Sequence, residues 1–221
     1  MAVNDIWEME DLLRDNNIDE NEIIEILKNC PEDISKSKDL FLSCVFWNRF
    51  ETAKEMVNLG VDIKYEDKGS LYRGNALNVA HSKEQAEWLL ENGVEIERNL
   101  SVHISHPCVN PAIMAVRHND ADMVIYWLKK EKELFSNEEY ISELLYSVTD
   151  EILTFNQSKT LSVLMKEDMI YEMMKEIYSK VDNLESIKLY QSSLRKISDE
   201  EVEDKKNELK KILSARKKQL V

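Results

Sequence analysis

The sequence contains few of the residues that interrupt regular structure. Its 221 residues include 4 glycines and 3 prolines. Large β-sandwiches and enzymes with Gly-rich loops need many turn residues, because glycine supplies left-handed conformations and proline fixes φ in tight turns. The low counts therefore favour a mostly helical fold. With 43% hydrophobic and 33% charged residues, the composition is typical of a globular protein and too apolar for a disordered one.

Long apolar runs and paired cysteines are also missing. No stretch approaches the roughly 20 apolar residues of a membrane span. The N-terminal stretch MAVNDIWEMEDLL is acidic, whereas a signal peptide begins with basic residues and continues with apolar ones. Cys30, Cys44 and Cys108 form no CxxC pair, so reduced thiols are expected. Together these features predict a cytoplasmic protein that does not contact membranes.

Basic residues are in deficit over most of the chain. The 43 Asp and Glu outnumber the 29 Lys and Arg, which gives a net charge of −14. From Lys205 onward seven bases accompany one acid, so residues 1–204 carry about −20. Such an acidic surface repels phosphate backbones, which argues against nucleic acid as a ligand, and it attracts basic proteins. Solubility alone is the alternative explanation of the acidity.

Motifs of catalysis and metal binding are scarce. The sequence contains no GxSxG, no HExxH and no Gly-rich phosphate loop, so neither enzymatic activity nor a cofactor is predicted. The segment HISHPC contains His103, His106 and Cys108, residue types that bind zinc. A structural zinc site usually takes four such ligands, and no fourth lies nearby in the sequence. An ordinary loop is therefore favoured over a metal site here.

The chain does contain a repeated helix ending. The segments ETAKEMVNLGVDI (51–63) and EQAEWLLENGVEI (84–96) align without gaps, and Gly60 and Gly93 lie 33 residues apart. Glycine adopts the left-handed conformation that ends many helices without a steric penalty. Each segment therefore predicts a helix that stops at its glycine and continues as an extended chain.

Each of these helices follows a shorter apolar segment. LFLSCVFW (40–47) and NALNVA (75–80) precede the two helices just described, and NPAIMAV (110–116) precedes DADMVIYWLKKEKEL (120–134), which lacks the glycine. Apolar residues recur at i, i+3 and i+4 in the longer segments, which predicts one buried face. The repeated unit is therefore predicted to be a short helix, a tight turn and a longer helix.

This pattern resembles the ankyrin repeat, a unit of about 33 residues. NALNVA and NPAIMA stand where that family begins its inner helix, and WLLENGVEI and MVNLGVDI stand where it ends its outer helix. No Thr-Pro-Leu-His sequence survives intact, and the resemblance covers residues 39–135. It implies an all-α solenoid of stacked helical pairs with short β-hairpin fingers.

The flanking segments are predicted to be helical as well. Residues 1–38 read as an N-terminal cap or degenerate repeat, and residues 136–221 as degenerate repeats that end in a C-terminal cap. A helical pair is predicted within 138–181, with its second helix running unbroken to the end of that range. The last helix is expected from about Asp199 to Leu220, either capping the last repeat or protruding. The whole chain is predicted to form one domain and a monomer.

The resemblance implies protein binding at a concave surface made by the fingers and the inner helices. The connections 64–75 and 97–110 fall at the finger positions. The candidate partner-binding residues are Trp47, Tyr65, Leu71, Tyr72, Arg73, His81, His103, Arg117 and His118. Core packing is the alternative for Trp47, and folding back onto the repeat is the alternative for Leu71 and Tyr72.

Three hypotheses about function follow. In the first, the chain is an immunity protein that inhibits a basic microbial toxin by covering its active site. The second is a scaffold or host-directed adaptor that inhibits nothing. The third is an enzyme or metalloprotein that uses the loop from His103 to Cys108. A non-enzymatic protein-binding module with a basic partner is the prediction that fits the charge and the resemblance together.

Overall fold

The computed structural model describes residues 3, 5–66, 74–100, 109–155 and 157–221. Within these ranges all regular structure is helical and no β-strand occurs, which confirms the all-α prediction. Residues 1–111 and residues 112–221 form two compact units, called here the first and the second unit. Most of each predicted finger lies outside the described residues.

The first unit begins with two helical pairs. Its α-helices are α1 (Ile6–Arg14), α2 (Glu20–Lys28), α3 (Glu32–Ser35), α4 (Lys38–Phe46), α5 (Phe50–Asn58) and α6 (Lys83–Glu91). α1 packs against α4 and α2 packs against α5, so the first pair lies on the second. The predicted inner helix over 75–80 is a single 3-10 turn, Ala76–Val79, and α4 packs against it.

The helix endings at the two matched glycines are confirmed. Gly60 has a φ of 103° and Gly93 a φ of 80°, which are left-handed conformations that side chains disfavour. In both endings the valine after the glycine donates its amide to the carbonyl five residues earlier, at 3.0 Å. Both valines are buried. These are Schellman endings, in which a left-handed residue and a following apolar contact close the helix.

The second unit is built from longer helices. They are α7 (Pro111–Arg117), α8 (Ala121–Leu134), α9 (Glu138–Thr154), α10 (Ser158–Lys166), α11 (Asp168–Lys180), α12 (Leu184–Lys196) and α13 (Glu203–Leu220). The prediction of one unbroken helix to the end of 138–181 is wrong, because the chain is extended at Glu167 with φ −82° and ψ 107°. The Glu167 carboxylate accepts a hydrogen bond from Lys129 Nζ at 2.5 Å, so a contact remote in sequence accompanies the break.

The last helix lies on its neighbours and does not protrude. A 3-10 turn, Glu200–Val202, precedes α13, which packs against α11 and α12. Its contact side buries Leu209 and Leu213. Lys206 is also buried, and its ammonium group donates to the Ile197 carbonyl at 3.0 Å. The helix therefore covers the last helices of the second unit as a cap does.

The same turn joins a short helix to a longer one in both units. Asn48 follows α4 and Asn119 follows α7, each with a φ of 57°. The residue after each asparagine donates its amide to the carbonyl five residues earlier, at 2.8 Å and 2.9 Å. Asparagine is among the few residues besides glycine that adopt this conformation routinely. A recurring left-handed asparagine thus takes the place of the turn glycine.

A glutamine from a later helical pair closes each of these turns. The Gln85 side-chain amide donates to the Val45 carbonyl at 3.2 Å, and the Gln157 amide donates to the Val116 carbonyl at 2.7 Å. Val45 and Val116 each lie three residues before the left-handed asparagine. Each of these buried carbonyls also accepts the amide of the asparagine three residues later, at 3.1 Å and 2.8 Å, so the glutamine supplies a second donor to the same kind of helix-end acceptor.

Candidate protein-binding surface

Trp47 lies at the end of α4 and stays 37% exposed. The Phe46 ring meets it edge-on, with ring centroids 4.9 Å apart, and the same Phe46 ring lies 5.3 Å from His81. The Arg14 guanidinium carbon lies 5.6 Å from the centroid of the Trp47 ring. The structure therefore brings two predicted candidates, Trp47 and His81, against one phenylalanine.

Two successive hydrogen bonds link Arg14 to α4 through Glu10. Its guanidinium donates to Glu10 Oε2 at 3.1 Å. The other oxygen of Glu10 accepts from the Ser43 hydroxyl of α4 at 3.0 Å, and both residues are buried. A buried carboxylate needs such partners because its desolvation is otherwise costly. Arg14 is thus held at the junction of α1 and α4, beside Trp47.

Sequence reasoning missed Trp7, which is 67% exposed on α1. The helix buries Met9, Leu12 and Leu13, and Trp7 lies on the other side with Asp11. A signal was present in the sequence, because residues at i and i+4 share a helix face and Trp7 is out of phase with the three apolar residues. We call Trp7, Asp11, Arg14 and Trp47 the tryptophan face.

Tyr65 lies at the opposite end of α4. Its hydroxyl donates to Asp39 Oδ1 at 3.3 Å, and the Lys38 ammonium lies 5.1 Å from the centroid of its ring. Both contacts are at the first turn of α4, whereas Trp47 follows the last turn. A nine-residue helix is about 13 Å long, so Tyr65 and Trp47 do not form one cluster.

In the second unit, Arg117 is engaged within the fold. Its Nε donates to Glu151 Oε1 at 2.6 Å, with side-chain exposures of 22% and 8%. The pair joins α7 to α9, so the guanidinium has a structural partner. His118 lies just before the left-handed Asn119, as Trp47 lies before Asn48, and it is partly exposed.

Four candidates lie outside the described residues, namely Leu71, Tyr72, Arg73 and His103. The same holds for His106 and Cys108 of the alternative metal loop. Their assignments stay predictions. Cys30 and Cys44 are free thiols, and burial raises the pKa of the Cys30 thiol above its ordinary value, so it is a weak nucleophile at neutral pH.

The first unit carries most of the net negative charge. It contains 22 Asp and Glu with 11 Lys and Arg, a net charge of −11. Near the tryptophan face, hydrogen bonds from the backbone and then the side chain of Asn17 hold the pKa of Asp15 below its ordinary value. That carboxylate is therefore ionised at neutral pH. A unit with this surplus of charge attracts positively charged partners over a distance.

Other described parts of the chain offer less specific chemistry. Within them, no group of three or more His, Cys, Asp or Glu is placed to hold a metal ion. A cleft of about 640 Å³ in the second unit is lined by the α8–α9 connection and α11 and includes Phe135, Ile141 and Met173. Its lining also includes Lys132, Lys180 and four glutamates.

Comparison with known proteins found no matching family model, no matching curated protein and no matching solved structure. In the part of the chain that the structure describes, no helix is both long enough and apolar enough to cross a membrane. The tryptophan face is thus identified from its own geometry and charge.

Proposed function

We propose that this chain is a non-enzymatic protein-binding module whose first unit holds a basic protein partner. The tryptophan face carries the proposal. Trp7 and Trp47 are 67% and 37% exposed on a unit with a net charge of −11. Tryptophan is enriched among the residues that dominate binding energy at protein interfaces. Two exposed tryptophans on an acidic unit fit a partner surface that has an apolar centre surrounded by basic side chains.

An ankyrin-type solenoid is the architecture we propose for this module. Its support is the recurrence of contacts between successive helical pairs. The first pair lies on the second through α1 with α4 and α2 with α5. The left-handed asparagine turn and the glutamine that closes it occur in both units. In a solenoid each unit buries its apolar side against its neighbours, so repeated ties between pairs favour this architecture.

The specific partner we propose is a basic microbial toxin, which the chain inhibits as an immunity protein by covering its active site. Charge supports this form of the proposal, because opposite charges on two surfaces accelerate their association and exclude wrong partners. A scaffold or adaptor with several partners is the alternative. It predicts contacts that depend little on charge.

The test is capture from a lysate of the source cells at low and raised salt, followed by mass spectrometry and a toxicity assay on the captured protein. The immobilised baits are the native chain, a Trp7→Ala/Trp47→Ala double variant and a Phe155→Ala control. Phe155 is 52% exposed in the second unit, so its removal matches the loss of an exposed aromatic elsewhere.

The proposal expects one basic protein in a 1:1 ratio, retained less at raised salt, whose toxicity the chain abolishes. Affinity should fall by about tenfold or more in the double variant and stay unchanged in the control. Several partners with no dependence on salt would establish the scaffold alternative. Equal retention by all three baits would show that the tryptophan face does not bind the partner.

A further inference from the structure

We infer that the tryptophan face binds an arginine- or lysine-rich segment of the partner, with one cationic side chain stacked on the Trp7 indole. This inference rests on the proposed function and adds the chemistry by which the face recognises its partner. Its basis is a difference between the two tryptophan rings in the groups that surround them. Trp47 already has a cation over its ring, and Trp7 has a largely open surface.

The first unit itself shows the interaction that we assign to the partner. Arg14 lies over the Trp47 ring, 5.6 Å from its centroid. Tryptophan is the best of the aromatic side chains for such cation–π contacts, which strengthen when both groups lose water. Since Trp7 is 67% exposed, a second guanidinium or ammonium group can approach its ring from solution.

A carboxylate stands beside Trp7 to pair with that cation. Asp11 is four residues further along α1, on the same helix face and about 6 Å along the axis. Its side chain is 79% exposed, and the ion pair that it forms within the described residues is a long one, 3.8 Å from Oδ1 to Arg14 Nη1. A guanidinium stacked flat on an indole keeps its in-plane N–H groups free to donate to a carboxylate. Trp7 and Asp11 therefore offer arginine both of its preferred contacts.

The charge of the surroundings selects against other occupants. An anionic segment meets a unit with a net charge of −11. A wholly apolar segment on this face would cover Asp11 and Arg14, and removing an exposed ion pair from water is costly even when the two charges stay paired. The competing cationic occupant is a second copy of this chain, because the sequence after Glu208 has five bases and no acid. Lys217 and Lys218 of that segment are exposed.

The experiment titrates the ¹⁵N-labelled full chain with a short peptide of alternating arginine and glycine, and separately with the same peptide carrying citrulline for arginine. Citrulline keeps the shape and the hydrogen-bonding edge but has no charge. NMR signals of the indole N–H groups report binding, and a Trp7→Phe variant assigns the Trp7 signal. Trp7→Ala, Asp11→Asn and Phe155→Ala are titrated in parallel, with melting temperatures recorded for each.

We expect the arginine peptide to shift the Trp7 signal and the citrulline peptide to leave it in place. The apparent Kd should rise about tenfold in Trp7→Ala and several-fold in Asp11→Asn, with Phe155→Ala unchanged. Equal binding of both peptides, or unchanged binding by Trp7→Ala with its melting temperature intact, overturns the inference. Dimerisation of the native chain that Lys217→Glu/Lys218→Glu abolishes and Trp7→Ala also weakens assigns the face to a second copy instead.

The two proposals fail in different ways. If Trp7→Ala still captures the basic partner from the lysate at full affinity, the proposed function stands and this inference fails. If the arginine peptide binds as expected while no partner protein is captured at low salt, the face recognises cations and the proposed function fails.

Discussion

The two units differ in their bases far more than in their acids. The first has 22 Asp and Glu and the second has 21, but the numbers of Lys and Arg are 11 and 18. The net charges of −11 and −3 therefore arise from where lysines are placed. A search of the sequence for acidic clusters alone would not separate the two halves of the chain.

The second unit uses its additional bases to join helices to each other. Its ion pairs between different elements include Arg117–Glu151 at 2.6 Å, Lys129–Glu167 at 2.5 Å, Lys166–Asp199 at 2.9 Å, Lys166–Glu201 at 2.5 Å, Lys175–Glu208 at 3.1 Å and Lys205–Asp168 at 2.6 Å. In the first unit, Arg14–Glu10, Lys36–Glu32 and Lys54–Glu51 join residues three or four positions apart, and Lys28–Glu55, at 3.8 Å, joins α2 to α5. More of the ion pairs between elements therefore lie in the second unit, whereas the first unit has the larger surplus of acids, which a partner can neutralise.

The contrast is sharpest at one equivalent position. Arg49 follows Asn48, and Asp120 follows Asn119. The Arg49 guanidinium donates to three backbone carbonyls at the end of α1 and in the α1–α2 connection, at distances of 2.6 to 3.2 Å. Asp120 instead accepts the Met123 amide at 3.1 Å and caps α8. The residue after the asparagine therefore binds the preceding helical pair in the first unit and caps the helix that follows it in the second.

The largest effect is expected from emptying either core. Leu89→Ala removes a side chain with 0% exposure from the first unit and should lower the free energy of unfolding by about 2–5 kcal/mol. Leu144→Ala is the matched change in the second unit, because Leu144 is also 0% exposed. Urea unfolding measures both losses, and hydrogen exchange shows which unit opens. A loss below about 1 kcal/mol would contradict the burial of either leucine.

Removing the contacts of Arg49 with the preceding helical pair should have the next largest effect. Arg49→Ala leaves three carbonyls without their charged donor and should destabilise the protein by about 2–3 kcal/mol. Arg49→Lys should recover little, because an ammonium group lacks the planar fork that reaches several acceptors. Asp120→Ala is the matched control and should lose about 1 kcal/mol, the usual contribution of an N-cap. If Arg49→Lys unfolds like the native chain, the three-carbonyl contact is not what holds α1.

Changing the left-handed positions should have smaller effects. Gly93→Ala should cost about 1 kcal/mol, mostly from backbone strain, since the nearest obstacle to its Cβ is the flexible end of Lys64 at 2.9 Å. Asn119→Gly in the second unit should change stability by less than about 1 kcal/mol, because glycine accepts this conformation more readily but removes the oxygen that accepts from the buried Thr160 hydroxyl at 3.4 Å. Thermal unfolding of both variants tests the pair. A stable Gly93→Ala would indicate that the matched endings do not need a left-handed residue.

The smallest effect is expected from acid titration of one ion pair. The hydrogen bond from Lys205 holds the pKa of Asp168 below its ordinary value of 3.8. An acid with a lowered folded-state pKa stabilises the protein above that ordinary value, and the stabilisation is lost as pH falls through the folded-state pKa. Asp168→Asn should therefore melt slightly below the native chain at pH 6, and the difference should shrink as the pH is taken below 3.8. A difference that stays constant over this range would contradict the shift.

Local features of the chain could be predicted from the sequence. The pair α1 and α2, the glycine endings of α5 and α6, and the last helix follow from apolar spacing and from one residue's conformational freedom. The predicted inner helix over 75–80 is shorter because Asn75 and Asn78 are buried there and donate to the distant carbonyls of Glu95 and Val109. Contacts between remote residues leave no pattern in a local window.

The candidate surface is also predicted only in part from the sequence, because some of its residues have partners that are remote in sequence. The position of Trp47 at the end of a short apolar segment indicates a binding residue. Arg117 has the same kind of position, but its partner Glu151 lies 34 positions away, so its structural role leaves no local signal. The position of Trp7 opposite the buried residues of α1 is a local signal that identifies it as exposed.

The glutamine that closes the first asparagine turn has a consequence for biosynthesis. The Val45 carbonyl receives the Gln85 amide from 40 positions downstream. At synthesis rates of about 5–20 residues per second, the ribosome needs roughly 2–8 seconds to add that stretch. During this interval the turn after α4 has only its own backbone hydrogen bonds, from Asn48 to Val45 and from Arg49 to Cys44. In the first unit, the hydrogen bond from Gln85 to Val45 can therefore form only after the next helical pair has been synthesised.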